Sequence, residues 1–420
     1  MFGVAVGPDP KYFDTSPAMS RYRSRRKKSN TMPSAALLSL PSFPFEMGPY
    51  GSPTLAYDIL RMSTPVCQVL VPSGLKVWLI TRYEDVCTVH RDIMFSRDEA
   101  VRTGAALVKD AGMEVEEGVL QNTDGDRHSR LRRVFASHYS QDHVSSWANI
   151  IRSEALKAID GLKPDKVFDL RSNFFEPVAS RSAETIFGFP VGANSQLLEH
   201  FFEASMLFDL RKRIVSSLRD GVRPAKGSYL GILNSARSEG LISESELVMN
   251  LIVFMIATLE AIAAPFLGGI FALLRDRDQW NVCLRERWLL PNAVDEMLRC
   301  YPNGDGIFLR IAMNDIVLNG VEIRRGDAVL APVSAANVDP AVFPEPRRYD
   351  ARRQNSNKHV AFNVGRHHCM GSLFAKVWMR TALETLLDRL PSLRLAVAPT
   401  SITYRPVRFI SIMERLPVTY

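Results

Sequence analysis

Residues 251–274, LIVFMIATLEAIAAPFLGGIFALL, constrain the fold of this chain more than any other segment. As a helix the run is long enough to cross a bilayer, for which about 20 apolar residues suffice. Against that, Glu260 and Pro265 stand in its middle, and a bilayer core penalises a carboxylate. The run also lies deep inside the chain, with no second one to accompany it. A helix apolar on all sides, sunk in the centre of a large domain, accommodates it better than a membrane anchor does. Pro265 should bend that helix near Ala261, because it offers no N–H to the Ala261 carbonyl and its ring crowds that oxygen.

The flanking text supplies the rest of such a domain. Residues 142–159, DHVSSWANIIRSEALKAI, carry apolar side chains at three- and four-residue spacing and predict a helix. Residues 66–80 alternate like paired strands about a turn at Gly74. Residues 309–333 predict short strands, with Asn319-Gly320 as a hairpin turn. Residues 339–350, DPAVFPEPRRYD, read as irregular, and residues 373–390 as a helix that follows Cys369. The expected fold class is mainly α with small β-sheets. With no composition break after residue 36, residues 36–420 are expected to form one domain.

The formal charge of +7 suggests nucleic acid until it is located. Residues 1–35 hold seven basic and two acidic residues, six of the basic ones (Arg21, Arg23, Arg25, Arg26, Lys27 and Lys28) crowded into RYRSRRKK, so only +2 of the excess lies beyond residue 35. Residues 1–35 therefore read as a solvated basic tail, not as a nucleic-acid surface. A twin-arginine export signal at Arg25-Arg26 is disfavoured by the short apolar stretch after it, which Pro41 and Pro44 break. Met19 and Met32 are alternative starts. Five cysteines, odd in number and without close pairing, argue against a disulfide framework and for a reducing cytoplasm.

One of the five is differently placed. Cys369 stands in HVAFNVGRHHCMGSLFAK, after a loop containing Gly365 and at the mouth of the expected helix. Amide N–H groups at a helix N-terminus favour a thiolate. A thiolate on haem iron pushes electron density toward the metal and favours O–O cleavage. Gly371 would let the backbone approach a flat macrocycle closely. His359, His367 and His368 lie within ten residues of Cys369, so a zinc site competes locally, although no second ligand arm is evident.

Phe362, Gly365, His367, Cys369 and Gly371 together resemble the signature of the cytochrome P-450 family. Asn363 stands where that family usually has glycine, a departure that concerns the loop's backbone conformation. Three landmarks follow the family's order. Glu296 and Arg299 resemble its E-x-x-R pair, and Arg348 in PEPRRYD matches the third member of a buried ion network bracing the cysteine loop. His128 and Arg132, one turn apart, match propionate contacts, as do Arg310 and His367. The resemblance covers almost everything after residue 50. It implies a haem b cofactor held between a long central helix and the cysteine loop-helix, with Cys369 as the metal ligand. His128, Arg132, Arg310, His367, Phe362 and Gly371 are then its other contacts.

The family's central helix usually carries an acid followed by threonine, which help deliver protons to dioxygen. Here the text is Ala257-Thr258-Leu259-Glu260-Ala261: the acid is present and alanine replaces the threonine. Glu260, Thr258 and Ala261 are the candidate catalytic positions, with protons passing through Glu260, water and a substrate hydroxyl. Residues 95–123, 255–261 and 306–308 should line the pocket, and the stretch between Pro190 and Tyr229 is short for the family's lid helices. The expected reaction is oxidation of a small apolar molecule in specialised metabolism. Electrons should come from an acidic ferredoxin steered by Arg127, Arg130, Arg133, Lys376 and Arg380. The rivals are oxidative coupling without oxygen insertion, a haem sensor of gas or ligand, and a zinc-binding structural protein.

Overall fold

The computed structural model describes residues 40–105, 118–136, 139, 141–188, 204–219, 228–303, 309–407 and 410–420. The basic tail, residues 306–308 and most of the expected lid stretch therefore lie outside the described residues. Within that stretch one helix, Ala204–Arg219, is described.

The site is framed by eight helices: α1 (Tyr83–Arg91), α2 (Gly125–Ala136), α3 (Gln141–Asp160), α4 (Glu176–Phe187), α5 (Glu244–Glu260), α6 (Ala263–Arg275), α7 (Leu290–Cys300) and α8 (Ser372–Arg389). Both α3 and α8 match their expected spans to within a residue or two. They pack along each other, with Trp147 of α3 edge-on to Phe374 of α8 at 5.5 Å between ring centres. The strands are β1 (Val66–Leu70), β2 (Lys76–Ile80), β3 (Phe95–Ser96), β4 (Arg310–Ala312) and β5 (Ala328–Leu330). They make one sheet in the order β1-β2-β5-β4-β3. Only β2 and β5 run parallel, with Trp78 opposite Val329. Gly74, at φ +76°, turns the chain between β1 and β2 as expected. Asn319 and Gly320, both at positive φ, turn the small hairpin Ile316–Leu318/Val321–Ile323, the conformation that a two-residue hairpin loop demands.

The long apolar run is a core helix in two pieces. Its start is set by a capping box, in which Ser243 accepts from Glu246 N–H and the Glu246 carboxylate accepts from Ser243 N–H. The helix then breaks at Ala261-Ile262, where Pro265 predicted a bend. The Ala261 N–H still donates to Ala257 O at 3.2 Å, and the ladder resumes only with Phe266 N–H to Ile262 O at 3.0 Å. Pro265, four residues after Ala261, has no N–H for that carbonyl. Beyond the break every residue from 265 to 274 is buried, so this half presents no face to lipid.

Glycines in the same run explain how α6 and α7 come so close. A Cβ on Gly268 would sit 2.6 Å from the Tyr301 ring, and one on Gly269 would sit 2.1 Å from the Met297 side chain. Any larger residue would push α7 away, and α7 carries the Glu296-Arg299 pair.

Candidate active site at the cysteine loop

The loop before α8 is built on two left-handed residues. Asn363 has φ +64° and Gly365 φ +77°. At Gly365 a Cβ would come 2.8 Å from His90 O and 2.9 Å from Arg91 Cα, so both backbone and space require glycine. Asn363 tolerates its conformation because its Oδ1 accepts from the Val364 N–H at 2.9 Å, a local bond that few side chains can make. The loop closes with Cys369 N–H donating to Phe362 O at 2.8 Å and His368 N–H to Gly365 O at 3.1 Å.

Cys369 lines a large cavity and its surface is accessible there. Surrounding protein desolvates the thiol and pushes it above its ordinary value, while the Gly371 N–H and the Arg132 guanidinium pull the other way. Arg132 does not reach far. It donates to His368 O at 2.9 Å, tying α2 to the cysteine loop. Phe362 and Gly371 line the same cavity. A Cβ on Gly371 would find Cys369 Sγ and Tyr139 at an ordinary 3.8 Å, so the protein itself does not forbid it. The space it would enter is the cavity.

Beneath the loop, Arg299 and Glu296 are fully buried and pair through two bonds of 2.7 and 2.8 Å. The third member is not Arg348. That side chain is 60% exposed and, among the described residues, pairs only with Glu345, at 3.5 Å. Arg353 takes the place, with Nε 2.8 Å from Glu296 Oε1. Arg348 contributes its backbone carbonyl, which accepts from Arg299 and from Arg353. The segment holds four arginines, and their spacing cannot say which one turns inward. Arg347 goes to Asp58, Arg352 to Glu286 and Arg353 back to Glu296. Arg299 also donates to Asn337 O, and Asn337 Oδ1 accepts from Val360 N–H, so the network does reach the loop.

A second buried cluster lines the cavity: His90, Arg97, His128, Arg310 and His367. His367 Nε2 lies 2.9 Å from Asp124 Oδ1, and the His128 and His367 rings are 4.6 Å apart. Burial, then His367 and Arg132, bring His128 down to about 4, so it is neutral at pH 7. Burial and Arg310 bring His90 to about 3. Its Nε2–H therefore donates to Ala331 O at 2.8 Å, leaving Nδ1 to face Arg310 at 3.4 Å. Burial beside Arg310 lowers Arg97 to about 9, and burial lowers Arg310 to about 10, yet both stay charged. Burial alone would raise Asp124. Hydrogen bonds from His367, Asp98 N–H and Ser96 outweigh it and hold this carboxyl below the usual range.

The cluster is short of negative charge. Its one carboxylate, Asp124, is occupied by His367, Ser96 and two backbone N–H groups. Arg310 Nε is buried and has no hydrogen-bond partner among the described residues. Among the described residues no carboxylate lines the cavity. A buried guanidinium N–H left without an acceptor, as at Arg310, is costly, so the site fits a flat ligand that carries its own carboxylates, as haem does through its propionates. His90 and Asp124 were not anticipated from the sequence, and Arg97 only as part of the stretch 95–123 expected to line the pocket. Pairing of β3 with β4 sets Ser96 opposite Ile311 and so brings Arg97 beside Arg310. Asp124, four residues before His128, was the one legible signal.

On the central helix, Thr258, Ala261, Ile262 and Pro265 line the cavity, as does Asn250. Glu260 is the last residue of α5, and its side chain lies outside the described residues. Of residues 95–123, Arg97, Leu120 and Gln121 are in the lining. The zinc alternative fails locally: His359 faces Asp295, His367 faces Asp124, and no trio of metal-ligating side chains occurs among the described residues. Of the expected basic patch, Arg127 and Arg130 pair with Glu246, Lys376 with Asp295 and Arg380 with Glu384. Arg133 is exposed.

The comparisons agree with this geometry. The family model for Cytochrome P450 matches residues 275–396. Nocardicin C N-oxygenase of Nocardia uniformis subsp. tsuyamanensis is 31% identical over 89% of this chain and 98% of its own length. Mycinamicin IV hydroxylase/epoxidase of Micromonospora griseorubida is 29% identical over 87% and 94%. Among solved structures, the mycinamicin VIII C21 methyl hydroxylase of Micromonospora griseorubida superimposes with a TM-score of 0.81 at 26% identity, over 91% of this chain and 100% of that one. Fold, cavity and relatives together define a haem-dependent monooxygenase. The chain belongs to the cytochrome P450 family. It acts on a small molecule with electrons from a redox partner.

Proposed function

We propose that this enzyme oxidises a small, largely apolar natural product, with Cys369 as the thiolate ligand to the haem iron. The observation that carries this is the buried cationic cluster lining the same cavity as Cys369, where Arg310 keeps an unpartnered Nε. His128, Arg132, Arg310 and His367, joined by Arg97, would hold the two propionates, and Phe362 and Gly371 would bed the macrocycle. A thiolate-ligated haem, when bound, supplies the activation of dioxygen. The chain supplies position and protons for the overall change RH + O2 + 2e⁻ + 2H⁺ → ROH + H2O. The Thr258 hydroxyl, with the Glu260 carboxyl, holds water and passes protons. Ala261 brings no hydroxyl, only the carbonyl that Pro265 leaves free.

Relatives named for nocardicin C and mycinamicin IV support a substrate from specialised metabolism. Residues 36–420 form the single catalytic domain, and the enzyme works in the cytoplasm. The electron donor is an acidic ferredoxin. With most of the expected cations already paired, docking should depend on salt only moderately. The test is an absorption spectrum of the reduced protein under carbon monoxide. A strongly red-shifted Soret band, lost in Cys369→Ala, supports the assignment. Haem with an unshifted band refutes the thiolate and brings the sensor reading forward.

A second reading, oxidative coupling without oxygen insertion, is favoured by Ala261. It gains support from the P450 for C–S bond formation in chuangxinmycin biosynthesis, 25% identical with a TM-score of 0.79. Absence of ¹⁸O from product made under ¹⁸O2 would decide for it.

A further inference from the structure

Beyond the cysteine loop and the cationic cluster, the cavity wall is mostly apolar, with Val253, Ala257, Leu298 and Val333 among its residues. Its few polar side chains differ in one respect. Asn250 is fully committed: Oδ1 accepts from Leu120 N–H at 2.8 Å, and Nδ2 donates to Gly118 O and Glu246 O at 2.8 and 2.7 Å. Asn303 is not. It lies three residues beyond α7, lines the cavity, and its Oδ1 is buried with no hydrogen-bond partner among the described residues. A buried carbonyl oxygen without a donor raises the free energy of the folded chain. A native site that keeps one calls for an explanation outside the chain itself.

A second acceptor lines the same cavity. The Ala261 carbonyl is deprived of its usual partner by Pro265, and both residues line the same cavity. The two acceptors come from adjoining elements, because Gly268 of α6 packs directly on Tyr301. Pro265 lies one turn before Gly268, and Asn303 lies two residues after Tyr301.

We propose that Asn303 is a specificity-determining residue whose Oδ1 accepts a hydrogen bond from an N–H or O–H group of the substrate, with the Ala261 carbonyl as a second acceptor. This rests on, and deepens, the haem-monooxygenase reading above. Apolar walls bind area and discriminate weakly, whereas a buried acceptor left unpaired rejects an analogue that lacks the donor. The substrate is therefore largely apolar but carries at least one donor, and that donor orients it in the cavity.

The experiment titrates the haem-loaded full chain with 4-phenylimidazole and follows the Soret shift. Its hydroxyphenyl and aminophenyl derivatives, substituted at each ring position, are compared with methylphenyl counterparts of similar size and with acceptor-only methoxyphenyl ones. The readout is a Kd and needs no turnover. At least one donor derivative should bind roughly tenfold tighter than its methyl counterpart. That advantage should vanish in Asn303→Leu and in Asn303→Ala and persist in Asn303→Asp, which keeps an acceptor. Equal binding of donor and methyl probes, tighter binding of methoxy probes, or an advantage that survives both apolar substitutions overturns the proposal. If the full chain takes up no haem and shows no Soret band to titrate, the haem reading fails and this inference falls with it.

Discussion

Replacing Arg353 separates the ion network as it is built from the one that the motif suggests. Arg353 is 8% exposed and bonds a carboxylate that is 0% exposed, at 2.8 Å. Arg353→Ala leaves Glu296 with Arg299 as its remaining cation. Breaking a buried pair costs about 3–5 kcal/mol, and we take about 3 because one cation remains. The bonds from Arg353 to Pro344 O, Glu345 O and Arg348 O lie nearer solvent, and their loss adds roughly 1 kcal/mol. Arg348→Ala removes an exposed pair and should cost under about 0.5 kcal/mol. Over 420 residues, an unfolding entropy of about 2.1 cal/mol/K per residue makes each kcal/mol worth roughly 1 °C, so Arg353→Ala should lower Tm by about 4 °C. Urea unfolding of the haem-loaded protein, followed by circular dichroism and by the Soret band, measures both variants. Equal losses, or a larger loss for Arg348→Ala, would refute the assignment of Arg353 to the network.

Three further outcomes follow from the site. Asn363→Ala keeps a left-handed residue but loses the bond to Val364 N–H, and should cost about 1–2 kcal/mol in the same unfolding assay; Asn363→Gly should cost less, and a reversed order would refute the backbone argument. Ala261→Thr should not improve the coupling of electron use to product, measured as product per NADPH with a surrogate redox chain, because proton delivery does not run through a hydroxyl at that position; a marked improvement would sink that idea. The carboxyl of Glu246 is raised by burial but lowered more by Arg130, Ser243 N–H and Arg127, so its folded value lies below the unfolded one of about 4.3. Its contribution is therefore present above that unfolded value and lost as pH falls through the folded one. Glu246→Gln should flatten the loss of stability on that acid side, and an unchanged slope would contradict it.

The cysteine loop, the Glu296-Arg299 pair and the break near Ala261 were legible because each is local. Cys369 and its loop are contiguous, a three-residue spacing puts two side chains on one helix face, and proline acts on the carbonyl four residues back. Secondary structure was legible for the same reason, as the spans of α3 and α8 and the turns at Gly74 and Asn319-Gly320 attest. Arg353 was not, since it competes with Arg347, Arg348 and Arg352 and only the packing against α7 decides among them. Nor were Arg97 and His90. Arg97 owes its place to contacts with Leu309 O and Asn122, the first of them more than 200 residues away, and His90 to Ala331 O. The chemistry of the cysteine is written in neighbouring letters. The charge shortage that calls for a carboxylate-bearing ligand, and the Asn303 oxygen that has no partner among the described residues, exist only once distant segments have excluded water together.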